Sequence, residues 1–243
     1  MIYDKINKLD IWNEFFDQAD ENKYSILIHS KYEITNSNGI MKNIISETYP
    51  SKWGEYSLVN IQNRLFELGL KDKLNKKFIL VSGSHIPLHN FNYIYNKLIN
   101  NSNSYLNYEL ATHKCHTDRF LTINNIDLWD HNNWHTNSQW CILNRYHVKY
   151  ILKNENRIIN IFNNSDIPDE HAYINIFIND NQMKNIKNKN MTKIDWIKNS
   201  TVFTYNNNEL SNIIIKKFKK KYLFIRKVES DCIIDKDILF YYN

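Results

Sequence analysis

Residues 165–179 read SDIPDEHAYINIFIN. Asp166, Asp169 and Glu170 place three carboxylates within five residues, with Pro168 among them, directly before a stretch of aromatic and isoleucine residues that should be buried. Acids at such a junction either complement the positive end of a helix or take part in proton transfer. Pro168 fixes the backbone ahead of a turn, Asp169 is placed to cap a helix starting there, and Glu170 is left at the rim of a cleft. A neighbouring carboxylate and partial burial are the conditions under which such an acid becomes a useful base. On the residues alone, the helix-dipole reading and the general-base reading both stand.

A second set of residues carries positive charge or hydrogen-bonding groups at the ends of apolar runs. In YLFIRKV (222–228), Arg226 and Lys227 sit side by side in an otherwise apolar stretch. They either face water from an edge strand or meet an anion. HSK (29–31) and SGSHIPL (82–88) close two further apolar runs, and SGSH equally suits a tight turn in which glycine supplies conformational freedom. Asp-x-Asp, the pattern that commonly holds a divalent metal, occurs as DKD at 235–237, far down the chain. The three cysteines, Cys115, Cys141 and Cys232, lack metal-ligand spacing and are odd in number, so neither a zinc site nor a disulfide framework is implied. A reducing, cytoplasmic setting is the default expectation.

These residues must be positioned by regular elements. KYSILIHS (23–30), KKFILVSGS (76–84), SQWCILNR (138–145), STVFTY (200–205) and KYLFIRKV (221–228) read as strands. Leu58, Ile61, Leu65 and Leu68 recur at helical spacing, with Ser57 placed as a cap. FNYIYNKLIN and the run through YHVKYIL supply two more helices. The alternation gives an α/β sheet with helices on its faces, a class that binds ligands beyond the carboxyl ends of its strands.

Length and composition bound the function. At 243 residues, 42% of them hydrophobic, the chain is expected to form one domain over 1–243. The formal charge of +5 is spread along the chain apart from KKFKKK (216–221), which favours an anionic small molecule over nucleic acid as partner. Only 4 glycines and 3 prolines occur against abundant Asn, Ile and Lys, a bias of AT-rich coding sequence such as that of some large DNA viruses and parasites. No run reaches the roughly 20 apolar residues of a membrane span, and none suits a signal peptide, so the chain is expected to be soluble.

The blocks IWNEFF…YSILIHSK, WGEYSLVNIQNRLFELGL, NKKFILVSGSHIPLHNFNYIYNKL, SQWCILNRYHVKYIL, DEHAYINIF and YLFIRKV follow one another in an order and spacing that resembles the core-2/I-branching β-1,6-N-acetylglucosaminyltransferase family (glycosyltransferase family 14), most closely its plant-type branch. The resemblance runs from about residue 11 to 228. It implies a GT-A-like nucleotide-sugar-binding fold, a UDP-sugar donor, a glycan or glycoprotein acceptor, and inversion at the transferred sugar. It also implies no divalent metal and no other cofactor, the diphosphate being met by basic side chains.

Residue by residue, the resemblance implies that Glu170 of the PDE motif is the base and that Lys227, helped by Arg226, meets the diphosphate. A second basic residue of animal members has no clear counterpart, Lys198 being the nearest. His29 stands where animal members carry an aspartate near the uracil, with Ser30 beside it, and His85 replaces a second aspartate. Trp53 and Gly54 match a WG pair ahead of the first long helix, with Trp53 assigned to the nucleotide. Ser84, His85, Ser138, Gln139, Trp140, Asp169, Trp196 and Arg119 are assigned to donor or acceptor sugar. The family domain normally opens with a complete strand, whereas MIYDKIN corresponds to that strand's end, so the first strand is expected to be truncated. The favoured function is transfer of a sugar, N-acetylglucosamine or xylose, with a catalytically silent carbohydrate-binding protein as the alternative.

Overall fold

The computed structural model describes residues 1–2, 5–32, 38–45, 48–197, 201–206 and 210–241. In chain order the helices are α1 (Leu9–Asp17), α2 (Ser57–Lys71), α3 (Phe91–Ile99), α4 (Lys114–Phe120), α5 (Arg145–Lys153), α6 (Glu155–Phe162), α7 (Ala172–Asn179), α8 (Asn212–Lys219) and α9 (Lys236–Phe240). The strands are β1 (Lys77–Ile79), β2 (Ile86–Pro87), β3 (Ser104–Leu106), β4 (Tyr108–Leu110), β5 (His135–Asn137), β6 (Ile142–Asn144), β7 (Ile186–Asn188), β8 (Thr192–Ile194), β9 (Trp196–Ile197), β10 (Thr201–Val202) and β11 (Phe224–Arg226). Mixed sheets with helices agree with the α/β expectation. Contacts divide the chain into two compact units, one of Met1–Ser46, Val81–Asn101 and Asn190–Asn243, the other of Glu47–Leu80 and Ser102–Lys189.

The first unit centres on a three-stranded sheet in which β11 runs antiparallel to β2 and parallel to β8. Trp12 and Phe15 of α1 join Phe91, Phe224 and Phe240 in an aromatic cluster. The expected strand at 23–30 is reduced to two isolated bridges, Ile28 with Ile44 and Ser30 with Ile2. In one bridge Ile2 donates to the His29 carbonyl and accepts from Lys31 N–H; in the other Ile28 donates to the Asn43 carbonyl and accepts from Ile45 N–H. Of the expected strand at 200–205, Thr201 and Val202 pair with β9, and Tyr205 makes a separate bridge to Val228. Lys198 lies outside the described residues.

The second unit carries a four-stranded sheet of order β1-β6-β3-β7, with β3 and β7 parallel and the other pairs antiparallel, and a separate antiparallel pair β4-β5. α7 is buried from Ala172 through Phe177, so its apolar sequence reflects a core position. α2 buries Ile61 and Leu65 as the spacing predicts, but Ser57 does not cap it. The Ser57 hydroxyl instead accepts from the Lys52 amide, folding the preceding loop. Strand β6 begins at Ile142 and not at Ser138, because Ser138–Cys141 form a turn in which Cys141 N–H bonds to the Gln139 carbonyl. Asn144 ends β6 and caps α5 by accepting from the His147 amide.

Asp235 of the Asp-x-Asp match accepts from the Asp237 amide and caps α9, a structural use of that motif. Among the described residues, no helix is long and apolar enough to cross a membrane.

Gly83 fixes a close approach in the first unit. Its carbonyl accepts from Asn7 N–H at 2.8 Å, and a Cβ at this position would lie 2.4 Å from the Lys5 carbonyl oxygen. Gly83→Ala is therefore expected to destabilise the protein by roughly 1–3 kcal/mol, the usual cost of overpacking, as measured by urea denaturation. An unchanged midpoint would contradict this packing.

Candidate functional site

The acidic segment lies between α6 and α7 and is held by features that bring Glu170 out while burying its neighbours. Ile167 adopts a left-handed conformation, φ 49° and ψ 52°, rare for a β-branched residue. Its amide donates to the Gly54 carbonyl at 2.8 Å and its carbonyl accepts from Glu170 N–H at 3.1 Å. Gly54 is itself left-handed, at φ 80°. Pro168, Asp169 and Glu170 then form a single 3₁₀ turn, with Pro168 and Asp169 buried. Side chains and carbonyls of β5 secure the turn and the residue after it. His171 Nδ1 bonds to the His135 carbonyl at 2.9 Å, Thr136 Oγ1 approaches the Glu170 carbonyl at 3.4 Å, and Asn137 Nδ2 the Asp169 carbonyl at 3.4 Å.

Glu170 is the exposed member of this turn, its side chain 29% accessible, and it is paired with Arg119 of α4, 16% accessible. Arg119 Nη1 donates to Glu170 Oε2 at 2.7 Å. The same nitrogen lies 3.2 Å from His116 Nδ1 and 3.4 Å from His171 Nε2. The His171 ring stacks on Trp134, with centroids 5.2 Å apart and planes at 17°. Burial is the main cause lowering the His171 pKa to about 3, and burial together with Arg119 lowers that of His116.

Contrary to the sequence expectation, Asp169 does not cap α7, whose N-cap position is His171 without a side-chain bond. Its carboxyl is buried, and Oδ1 makes no hydrogen bond among the described residues. Burial first, and then the charge of Glu170, raise its pKa from 3.8 to about 7.

The other sequence candidates in this unit lie in two loops. Ser138, Gln139 and Trp140 form the turn before β6 and are partly exposed, with Trp140 N–H approaching Ser138 Oγ at 3.4 Å. Trp53 is 73% exposed in the loop whose Gly54 bonds to Ile167.

In the other unit, the structure brings together the SGSH turn and the end of β11. Val228 N–H bonds to the Ser84 carbonyl at 3.0 Å, and Ser82 Oγ lies 3.2 Å from Ser84 Oγ. Arg226 and Lys227 are half-buried. Burial lowers the Arg226 pKa to about 10, and burial and Arg226 lower that of Lys227. His85 is fully buried, its Nδ1 accepting from the Ser82 amide at 2.9 Å and its carbonyl accepting from Trp12 Nε1 at 2.8 Å. His29 and Ser30 are buried at 1% exposure, and Ser30 Oγ donates to the Tyr32 carbonyl at 2.6 Å. His29, Ser30 and His85 thus offer almost no surface to a ligand in this structure. Trp196, on β9, is 59% exposed. Among the described residues, no three His, Cys, Asp or Glu side chains are arranged to hold a metal ion.

A profile of the core-2/I-branching enzyme family matches residues 1–220. The chain belongs to the core-2/I-branching enzyme family. Over 153 residues it is 31% identical to Glycosyltransferase BC10 of rice (Oryza sativa subsp. japonica), a match covering 60% of this chain and 37% of that protein. The match therefore spans little more than a third of the relative's length. Family membership and the mixed α/β architecture are consistent with a GT-A-like fold.

In this core-2/I-branching chain, the sequence marks Glu170 and Arg119 separately but not their pairing, nor the part of His116 and His171. A signal was present: His116 precedes Arg119 by three residues, one helical turn, and His171 directly follows Glu170.

The folded chain holds the Asp169 proton more tightly than the unfolded chain does. Its stabilising contribution is therefore fully present below the unfolded value of 3.8 and is lost as pH rises through about 7. Asp169→Asn cannot ionise, so its Tm should exceed that of the native chain at pH 8 and match it near pH 4. An equal Tm at pH 8 would show that Asp169 is not held protonated.

Proposed function

We propose that this chain is an inverting glycosyltransferase. It transfers a sugar, N-acetylglucosamine or xylose, from a UDP donor to a hydroxyl of a glycan or glycoprotein, with Glu170 as base and no divalent metal. The observation that carries the reading is the display of one carboxylate, Glu170, from a turn whose neighbouring residues Pro168, Asp169 and His171 are buried. Family membership and the glycosyltransferase named as its relative support the reaction class.

The chemistry is a direct displacement. The Glu170 carboxylate accepts the proton of the acceptor hydroxyl as its oxygen bonds to the anomeric carbon, and the bond from that carbon to the donor phosphate oxygen breaks with its electron pair leaving on UDP. Asp169, its pKa raised to about 7, holds its proton below neutrality. Negative charge accumulating on the diphosphate is met by Lys227 and Arg226, whose partial burial strengthens attraction to an anion relative to bulk water. Ser84, Ser138, Gln139, Trp140, Trp196 and Trp53 supply hydroxyl, amide and ring surfaces suited to sugar or base, flat apolar sugar faces fitting aromatic rings. The rings of His29 and His85 are buried and are assigned to the scaffold of their own unit.

UDP release should be measured over a panel of UDP-sugars with and without glycan acceptors. Glu170→Gln is expected to lower turnover at least about a hundredfold, within the range of general bases, while donor affinity by calorimetry stays unchanged. Near-native turnover would remove Glu170 from the reaction, and absence of turnover with every donor would favour a silent carbohydrate-binding protein.

The cation makes a separate prediction. Activity should survive EDTA, and Lys227→Ala should weaken binding of UDP far more than binding of uridine, since the lysine is assigned to phosphate. Activity lost on chelation and restored by manganese would assign the charge to a metal.

A further inference from the structure

We infer that His171 and His116 are positioning residues for Glu170: two imidazole lone pairs hold the Arg119 guanidinium, and Arg119 in turn aims the Glu170 carboxylate. The inference rests on Glu170 being the base.

The hydrogen-bond chemistry leaves little freedom in how these groups are arranged. A guanidinium only donates, so the nitrogens facing it, His116 Nδ1 and His171 Nε2, must present lone pairs. A carbonyl only accepts, so His171 Nδ1, which faces the His135 carbonyl, must carry the proton. The His171 tautomer is thereby set from both sides, and stacking on Trp134 fixes the plane of its ring. Arg119 Nη1 has two hydrogens for three acceptors. Glu170 at 2.7 Å takes the strong bond, and the imidazoles at 3.2 and 3.4 Å share the remainder.

Neutral acceptors suit this task better than carboxylates. An acid at either histidine position would compete with Glu170 for the guanidinium and neutralise its charge, whereas an imidazole orients Arg119 and leaves the positive charge for Glu170. Burial disfavours the charged form of both rings: the His171 pKa is lowered to about 3, and that of His116 is lowered in the same direction. The rest of the local design supports the same geometry, since His171 follows Glu170 directly and the β5 strand that fixes the turn also supplies the carbonyl that sets the ring.

His171→Phe is the informative variant. It retains a flat ring to stack on Trp134 and removes the lone pair facing Arg119, while the His135 carbonyl keeps a donor in Asn175 Nδ2 at 2.8 Å. Turnover is read as UDP release from UDP-N-acetylglucosamine and UDP-xylose on the full chain. His171→Phe should lower kcat at least tenfold with donor KM within twofold, and His171→Gln, which restores an acceptor, should recover most of the loss. In the Glu170→Gln background, His171→Phe should cause no further loss, because residues acting through one group are not additive. A loss of equal size in both backgrounds, or no loss in the native background while Glu170→Gln is inactive, would overturn the positioning role and leave the base assignment standing. Full activity of Glu170→Gln would instead overturn the base. Two-bond ¹H–¹⁵N spectra decide the contact whatever the donor and whether or not His171→Phe folds. The native chain should show His171 as the Nδ1–H tautomer from pH 5 to 8, with the His116 and His171 signals both shifting in Arg119→Lys. A His171 ring that titrates near 6.5, or signals indifferent to that substitution, would overturn the inference.

Discussion

The hydrogen bond from Arg119 Nη1 to Glu170 Oε2 is the interaction on which the candidate site depends. A carboxylate beside a second, buried carboxyl cannot ionise cheaply unless a cation offsets the repulsion and the lost hydration. Arg119 supplies that cation to Glu170 through a charge-assisted bond that contributes about 1.5–3 kcal/mol. Asp169, enclosed and next to this charge, is pushed toward its protonated form.

The backbone around this pair serves the same end. The left-handed Ile167 turns the chain so that Asp169 points inward and Glu170 outward, at a cost of about 1–3 kcal/mol for such a conformation. The Gly54 carbonyl, the β5 groups and the wholly buried start of α7 hold that geometry. In the other unit, the Ser84 carbonyl ties the SGSH turn to the end of β11, where Arg226 and Lys227 lie. The proposed base stands on a turn and the proposed diphosphate cations at a strand end, each pinned by backbone hydrogen bonds to a neighbouring loop.

Much of this was legible in the sequence where a side chain's type reveals its surroundings. The apolar spacing of Ile61 and Leu65 marks α2, and the apolar run ending in Arg226 and Lys227 marks β11. Polar residues that bond locally were harder to read. Ser57 looks like a cap and instead braces a loop, Asp169 looks like a cap and is buried, and Ser138 turns a stretch that reads as strand. His29 and His85 stand at the ends of apolar runs, where ligands usually bind, yet both are buried, and burial of a polar side chain depends on distant parts of the chain that no local pattern encodes. The pairing of Arg119 with Glu170 joins residues 51 apart, and only the fold brings them together.

The central claim is that Glu170 serves a single direct displacement, in which the acceptor oxygen attacks the face opposite the leaving UDP. The stereochemistry of the product tests this most directly. Proton NMR of the newly formed glycoside, taken early in a reaction started from an α-linked UDP-sugar, should show a β-configured anomeric centre. An α-configured product would mean retention and would contradict the account.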